Sequence, residues 1–195
     1  MKMILASGSP RRRELLEMLG MSFSVIPAKG EEAAHPELSA GELVKELSRA
    51  KAREVAAQYP DCLVIGADTV VAVDGEVLGK PKNEDDARRM LRLLSGREHE
   101  VFTGVTVICP GREVIRSERT AVRFREMSDE EIGAYIATGE PMDKAGAYGI
   151  QGRASLYIEG IDGEYFNVMG LPVCALGNML KEAGMNFPSA GTAEA

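Results

Sequence analysis

Tryptophan is absent from this 195-residue chain, and aromatic residues make up only 5% of it. Aliphatic side chains must therefore supply most of the packing, and a hydrophobic fraction of 45% is enough to build a core. No apolar run approaches the roughly 20 residues that cross a bilayer, and the opening MKMILASGSP lacks the apolar stretch of a secretory signal. We therefore expect no membrane partner.

Cysteine and histidine are also scarce. Cys62, Cys109 and Cys174 are odd in number, widely spaced and without a CxxC pair. This pattern argues against a disulfide framework or a zinc site, and it favours a cytoplasmic location. His35 and His99 have no partner at a ligand spacing, so we expect no chemistry from either.

Positive charge is in deficit, with 23 Lys and Arg residues against 30 Asp and Glu residues and a net charge of -7. A chain with this balance is poorly suited to long-range capture of nucleic acid or of an anionic membrane. We therefore expect no nucleic-acid partner.

The order of elements is typical of an α/β protein. The apolar run LVIGADTVVAV at Leu63–Val73 predicts a buried strand, and Ser9-Pro10 predicts the start of a helix that ends near Gly20. Further helices are predicted after Ser39, Asn83, Ser128 and Pro172, and further strands at Met3–Ala6, Val101–Ile108, Glu113–Phe124, Ser155–Glu159 and Tyr165–Met169. This alternation predicts a mixed sheet in a single domain over residues 1–185, followed by a flexible tail over residues 186–195.

Arg11, Arg12 and Arg13 stand in the first turn of the first predicted helix. Cations at that end oppose the helix dipole by up to ~1 kcal/mol each. An anion bound at the preceding Ser7-Gly8-Ser9 turn would explain them, because backbone N–H groups, hydroxyls and guanidinium groups all favour phosphate there. A solvated basic cluster is the alternative.

Asp68 and Lys51 stand where charge is costly. Asp68 is the only charged residue in the Leu63–Val73 run, and a buried carboxylate needs a partner or a metal. We expect it at a strand end or bulge that lines a cleft, or else in a purely structural hydrogen bond. Lys51 falls in the apolar stripe of its predicted helix, so its ammonium either points into a functional cavity, reaches solvent or pairs with Glu54.

Weaker signals lie in three loops. Lys80 follows a predicted hairpin and would return a cation toward Asp68, and Glu31-Glu32 would supply metal carboxylates. The segment Asp143–Gly152 has three glycines, which let the backbone approach a ligand closely. Exposed loops are the alternative for all three. Together the cations, the carboxylate and the anion site suit a polyphosphate with Mg²⁺ or Mn²⁺, which prefer oxygen ligands.

Several motifs, in order along the chain, resemble the Maf family of septum-formation-inhibitor proteins, which are nucleoside triphosphate pyrophosphatases. They are ASGSPRR (6–12), GADT (66–69), GKP (79–81), LSGR (94–97), EPMDKAGAYGIQG (140–152) and VMGLP (168–172). The resemblance implies an inosine-triphosphatase-like α/β fold, in which a long twisted mixed β-sheet with flanking helices divides two lobes around a central cleft. It also implies a homodimer.

The resemblance further implies hydrolysis between the α and β phosphates, which yields a nucleoside monophosphate and pyrophosphate. It implies that Asp68 is the acid–base residue and that Asp68 and Glu32 hold the metal. The positions that it assigns to triphosphate binding and to charge balance on the leaving group are Ser7, Arg12, Lys51 and Lys80.

Substrate choice follows from three further positions of the resemblance. Arg11, Thr69 and Gln151 are similar to the branch that acts on dTTP and UTP, whereas the 7-methyl-GTP branch has Trp, Gln and Glu there. A Gln amide offers both a donor and an acceptor to a uracil or thymine edge. The one departure is Glu31, where many relatives have Asp, and it leaves Glu32 in place.

Two other functions stay open at this point. A pyrophosphatase for purine or methylated purine nucleotides is disfavoured by Arg11, Thr69 and Gln151. A nucleotide-sensing regulator of septum formation and cell-division arrest, without turnover, would not need a water-activating carboxylate such as Asp68.

Overall fold

A computed structural model describes residues 1–30, 35 and 37–185. The predicted metal carboxylate Glu32, its neighbour Glu31 and the predicted tail over residues 186–195 lie outside these residues.

The described residues form seven strands, six α-helices and three 3₁₀ turns. The strands are β1 (Met3–Leu5), β2 (Ser24–Val25), β3 (Leu63–Val73), β4 (Glu76–Leu78), β5 (Glu98–Cys109), β6 (Arg112–Phe124) and β7 (Ile158–Asp162). The α-helices are α1 (Pro10–Met18), α2 (Ala40–Ala56), α3 (Glu84–Leu94), α4 (Asp129–Ile136), α5 (Tyr165–Met169) and α6 (Val173–Glu182). The 3₁₀ turns span Glu140–Asp143, Ala145–Ala147 and Arg153–Tyr157. None of these helices is long and apolar enough to cross a membrane.

The strands form one mixed sheet in the order β2-β1-β3-β5-β6-β7, with β4 paired to β3. β1 is parallel to β2 and β3, while the remaining pairs are antiparallel. The long strand β3 enters two separate cores: Leu63 and Ile65 pack with α1 and α6, and Val71 and Val73 pack with α3 and α4. The predicted mixed sheet with two lobes is therefore confirmed.

Helix α2 lies directly on the sheet because the two strand residues beneath it, Gly66 and Gly104, have no side chain. A Cβ atom at Gly104 would overlap the carbonyl oxygen of Val44, and one at Gly66 would overlap that of Ser48. Glycine at both positions brings the helix backbone onto β3 and β5. This close approach fixes the height at which α2 presents its side chains over the sheet.

Local capping chemistry explains most of the predicted boundaries. Ser39 and Ser128 each form a full capping box at the start of α2 and α4, and Asn83 accepts a hydrogen bond from the backbone of α3. Asp74 and Gly75 both have positive φ angles, of 50° and 82°, as a two-residue hairpin between β3 and β4 requires.

Two strand predictions are wrong. Tyr165–Met169 is the helix α5, and it ends at Gly170, whose φ of 109° only glycine adopts readily. Ser155–Glu159 is mostly a 3₁₀ turn, because β7 begins only at Ile158. A five-residue apolar run fits a strand and a buried helical turn equally well, and here the side-chain amide of Asn167 anchors the helical turn by donating to the carbonyl oxygen of Val101 at 3.0 Å.

Asp68 also lies elsewhere in its strand than predicted. It stands at the middle of β3 in regular register with Gly104, not at a strand end or a bulge. The carboxylate therefore rises from the part of the sheet that lies between the two cores.

Candidate active site

A cleft of about 870 Å³ opens beside the middle of β3, within the usual volume of a small-molecule site. Most of the site residues predicted from the sequence line it, namely Ser7, Arg11, Arg12, Lys51, Asp68, Thr69 and Lys80. These residues come from the β1–α1 turn, from the first turn of α1, from α2, from β3 and from the segment after β4. The fold therefore brings together residues that are far apart in the chain.

Asp68 is paired with Lys51 at the floor of the cleft. The Lys51 ammonium donates a hydrogen bond to Oδ1 of Asp68, and the two side chains are only 22% and 11% exposed. Glu54, the alternative partner for Lys51, accepts hydrogen bonds from the backbone N–H groups of Lys29 and Gly30 at 2.7 and 2.9 Å. The buried carboxylate in β3 thus has the counter-ion that its burial requires.

The Arg12 guanidinium is fixed by three segments of the chain. Its Nε donates to the carbonyl oxygen of Gly170 at 2.7 Å, Nη1 to Ser7 Oγ at 3.0 Å and Nη2 to Thr69 Oγ1 at 3.0 Å. These hydrogen bonds hold a planar cation at the N-terminus of α1, where backbone N–H groups and the helix dipole also favour an anion. The arginine cluster predicts an anion site at this turn.

The other two arginines of the cluster point elsewhere. Arg13 pairs with Glu17 at 2.7 Å one helical turn away, and both side chains are exposed. Arg11 crosses to the opposite wall of the cleft, where Nη1 donates to Asp143 Oδ2 at 3.3 Å. The solvated alternative therefore holds for Arg13 and not for Arg12.

The opposite wall is built by the 3₁₀ turns. Lys144 donates to Asp143 Oδ1 at 2.6 Å and to the carbonyl oxygen of Glu140 at 2.7 Å. Burial opposes ionisation of Asp143, but the hydrogen bonds and charges of Lys144 and Arg11 outweigh it and lower the pKa of the carboxyl. The Asp143 carboxylate thus lies between two cations, Arg11 and Lys144, at the cleft.

Comparison with known proteins shows the family to which this chain belongs. The Maf family model, described as Maf-like protein, matches residues 2–183. The chain belongs to the Maf family. Its Maf relatives include the dTTP/UTP pyrophosphatase of Koribacter versatilis, 52% identical over 185 residues, which cover 95% of this chain and 96% of the relative. The dTTP/UTP pyrophosphatase of Moorella thermoacetica is 51% identical over 187 residues, with shares of 95% and 96%.

A solved structure extends the comparison to the fold alone. The Ham1 protein of Staphylococcus aureus superposes with a TM-score of 0.56 at 13% sequence identity, covering 94% of this chain and 100% of the Ham1 chain. The Maf resemblance and the expected fold class are therefore both confirmed.

The remaining positions carried over from the Maf motifs have different placements. Lys80 is exposed at the cleft, while Gln151 is exposed and lies outside the lining of the cleft. Glu32 lies outside the described residues. The roles predicted for these three residues, like those of the residues that line the cleft, stay predictions.

Sequence reasoning missed Thr103, whose hydroxyl group contacts that of the predicted site residue Thr69. Thr69 Oγ1 and Thr103 Oγ1 lie 2.9 Å apart, and Thr103 donates its only hydroxyl proton to the carbonyl oxygen of Asn167 at 2.9 Å. Thr69 must therefore donate to Thr103 while accepting from Arg12. Thr69 lies opposite Thr103 in the β3–β5 register. This pairing could have identified Thr103 as a site residue, but it is visible only once the two strands are known to be paired.

The Maf resemblance implies a divalent metal, and the donor chemistry of the cleft fits one. Among residues 1–30, 35 and 37–185, no three His, Cys, Asp or Glu side chains are grouped to hold a metal by themselves. Mg²⁺ in phosphate-processing sites is usually held by one or two carboxylates together with the substrate's own oxygens. Asp68 supplies one such carboxylate at the cleft.

Proposed function

We propose that this protein hydrolyses dTTP and UTP to the nucleoside monophosphate and pyrophosphate. The Asp68–Lys51 pair beside the fixed Arg12 guanidinium is the observation that carries the proposal, because it combines a proton acceptor with cations for a polyphosphate. Identity of about half with relatives named dTTP/UTP pyrophosphatases supports the substrates.

In the proposed reaction Asp68 is the general base. Lys51 holds Oδ1 of Asp68, and Oδ2 takes a proton from a water molecule. The water oxygen forms a bond to the α-phosphorus, the bond from that phosphorus to the bridging oxygen breaks, and pyrophosphate leaves with the electron pair. Arg12, Lys51 and Lys80 stabilise the charge that develops on the leaving group.

Ser7 and Arg12 form the proposed phosphate cradle, since Ser7 lies in the turn before α1 and Arg12, in the first turn of α1, donates a hydrogen bond to it. Asp68 and Glu32 are the residues that we propose hold Mg²⁺ or Mn²⁺. Such an ion, when bound, neutralises phosphate charge and polarises the phosphoryl oxygens.

For substrate choice we propose Arg11, Thr69 and Gln151, the positions that match the dTTP/UTP branch. Thr69 offers the cleft only acceptor capacity, because its proton is directed to Thr103. A preference for purine or methylated purine nucleotides is the runner-up.

We further propose that the enzyme is a single-domain cytoplasmic protein that acts as a homodimer and has no nucleic-acid partner. The three cysteines are free thiols, which agrees with a reducing compartment. Sedimentation analysis with and without DNA tests the assembly and the partner together.

The experiment that tests the activity is a nucleotide panel with Mg²⁺ or Mn²⁺ that resolves pyrophosphate from orthophosphate. Pyrophosphate release from dTTP and UTP, with little from ATP, GTP or 7-methyl-GTP, is the expected result. Activity on the purine nucleotides instead would favour the runner-up. Folded protein that is silent on every nucleotide would overturn the enzyme assignment in favour of a nucleotide-sensing regulator.

A further inference from the structure

Arg11, Asp143 and Lys144 form a continuous row of hydrogen-bonding groups along the cleft. Arg11 donates to one oxygen of the Asp143 carboxylate and Lys144 donates to the other, at 3.3 and 2.6 Å. The row therefore presents a donor, an acceptor and a donor in that order. It joins α1 on one side of the cleft to the 3₁₀ turns on the other.

The position of Lys144 in this row is built into the chain. Its aliphatic stem passes directly over Gly149, where a Cβ atom would lie only 2.6 Å from Lys144 Cε. The carbonyl oxygen of Glu140 accepts a second hydrogen bond from the ammonium at 2.7 Å, and the side chain is only 15% exposed. An ordinary surface ion pair needs none of these contacts.

All three members of the row keep capacity for a ligand. The Lys144 ammonium has three N–H donors, of which Asp143 and Glu140 take two. The Arg11 guanidinium has five N–H donors, and each oxygen of the Asp143 carboxylate has two acceptor sites. A planar ligand edge of the complementary order therefore finds a partner at every position.

Among the nucleobases, uracil and thymine present that complementary order. Their edge carries an acceptor at O4, a donor at N3–H and an acceptor at O2. Cytosine would place its amino group against a cation and its bare N3 against the carboxylate, and adenine has the same two mismatches. Guanine would place its amino group against a cation. Each mismatch leaves polar groups unpaired, which is how sites reject close analogues.

We propose that Asp143 and Lys144, together with Arg11, read the base of the substrate. Asp143 accepts a hydrogen bond from N3–H of uracil or thymine, and Arg11 and Lys144 donate to the two carbonyl oxygens. This inference rests on the proposed function and adds two specificity-determining residues, Asp143 and Lys144, to it.

The test compares the wild type with Asp143→Asn on dTTP, UTP, dCTP and CTP. Asparagine keeps an oxygen for the cations and turns an amino donor toward N3, which disfavours uracil and thymine and removes one of the two mismatches with cytosine. We expect the ratio of kcat/KM for dTTP over dCTP, and for UTP over CTP, to fall by about tenfold or more.

A second variant moves Lys144 without changing any charge. Gly149→Ala inserts a methyl group where the Lys144 stem lies, so we expect it to lower the same ratio. Gly177→Ala in α6 is the matched control, because nothing lies within 4 Å of the added carbon. We expect the control to leave the ratio unchanged.

Two outcomes would overturn the proposal. If Asp143→Asn changes kcat/KM for all four nucleotides by one common factor, the row either binds phosphate or only supports the fold. If kcat/KM for each of the four nucleotides stays at its wild-type value, Asp143 does not contact the substrate.

Equilibrium binding of dTTP and dCTP in the presence of EDTA separates this inference from the proposed function. A protein that hydrolyses nothing, yet binds dTTP more tightly than dCTP and loses that preference in Asp143→Asn, would refute the enzyme and uphold the reading of the base. Equal binding of both nucleotides by the wild type would refute the reading.

Discussion

The ammonium of Lys51, on helix α2, donates a hydrogen bond to Oδ1 of Asp68 at the middle of β3. The pair joins the two elements that build the floor of the cleft, and the Asp68 side chain is 11% exposed. Replacing the carboxylate by an amide therefore tests its role as a proton acceptor while keeping an oxygen that accepts the hydrogen bond from Lys51.

Asp68→Asn is expected to reduce kcat for dTTP by at least about 100-fold, because asparagine cannot take a proton from water. The asparagine oxygen still accepts from Lys51, so we expect the melting temperature to change little. Asp74→Asn is the matched control, since Asp74 lies in an exposed hairpin and asparagine tolerates its positive φ. Wild-type turnover in Asp68→Asn would show that Asp68 is not the base.

Gly104→Ala is expected to destabilise the protein by about 3 kcal/mol, because the added carbon would overlap the backbone of Val44 and force α2 away from the sheet. Displacement of α2 also moves Lys51, so activity should fall with stability. Urea unfolding of this variant beside Gly177→Ala measures the effect. The control adds a methyl group in a helix with open space around it and should gain about 0.5–1 kcal/mol. Equal stability of the two variants would contradict the close approach.

Much of this architecture follows from local sequence chemistry. The bounds of β3 match the apolar run Leu63–Val73, and the capping residues Ser39, Asn83 and Ser128 mark helix starts in the structure. These signals depend on residues within a few positions of one another, so they can be recognised from a single sequence.

What sequence could not predict depends on long-range pairing. Asp143 and Lys144 lie within a glycine-rich segment of the predicted site, but the partner of Asp143 across the cleft is Arg11, 132 positions away. Thr103 gains its role only because β5 places it opposite Thr69. No local pattern distinguishes these residues from ordinary loop charges or strand hydroxyls.

Thr103→Val is expected to cost about 1–2 kcal/mol, since the isosteric valine leaves the half-buried Thr69 hydroxyl without its acceptor. The loss also removes a support of the Arg12 guanidinium, so we expect KM for dTTP to rise more than kcat falls. Thr103→Ser keeps the hydroxyl and is the control. A KM that rises equally in both variants, or that stays at its wild-type value in Thr103→Val, would contradict a role of this hydrogen bond in supporting Arg12.

His99 is a buried histidine beside the cleft. Its Nε2 lies 2.8 Å from the hydroxyl of Tyr148, and its ring packs edge-on against those of Phe124 and Tyr148. Nδ1 is buried and has no hydrogen-bond partner in the described part of the chain. Burial lowers the pKa of His99 to about 4, from an ordinary value of about 6.5.

This shift predicts a pH-dependent stability. Between pH 6.5 and 4 the unfolded chain binds a proton at His99 that the folded chain does not, so stability is complete above pH 6.5 and declines as the pH falls toward 4. The full decline from this group amounts to about 3 kcal/mol.

His99→Gln should flatten the dependence of unfolding free energy on pH across this window. His35 and all the carboxylates remain in the variant, so their contributions cancel when its slope is subtracted from that of the wild type. Parallel slopes would contradict the burial of a neutral imidazole. Titration of the His99 ring by NMR gives an independent answer, because a midpoint near 6.5 in the folded protein would contradict it as well.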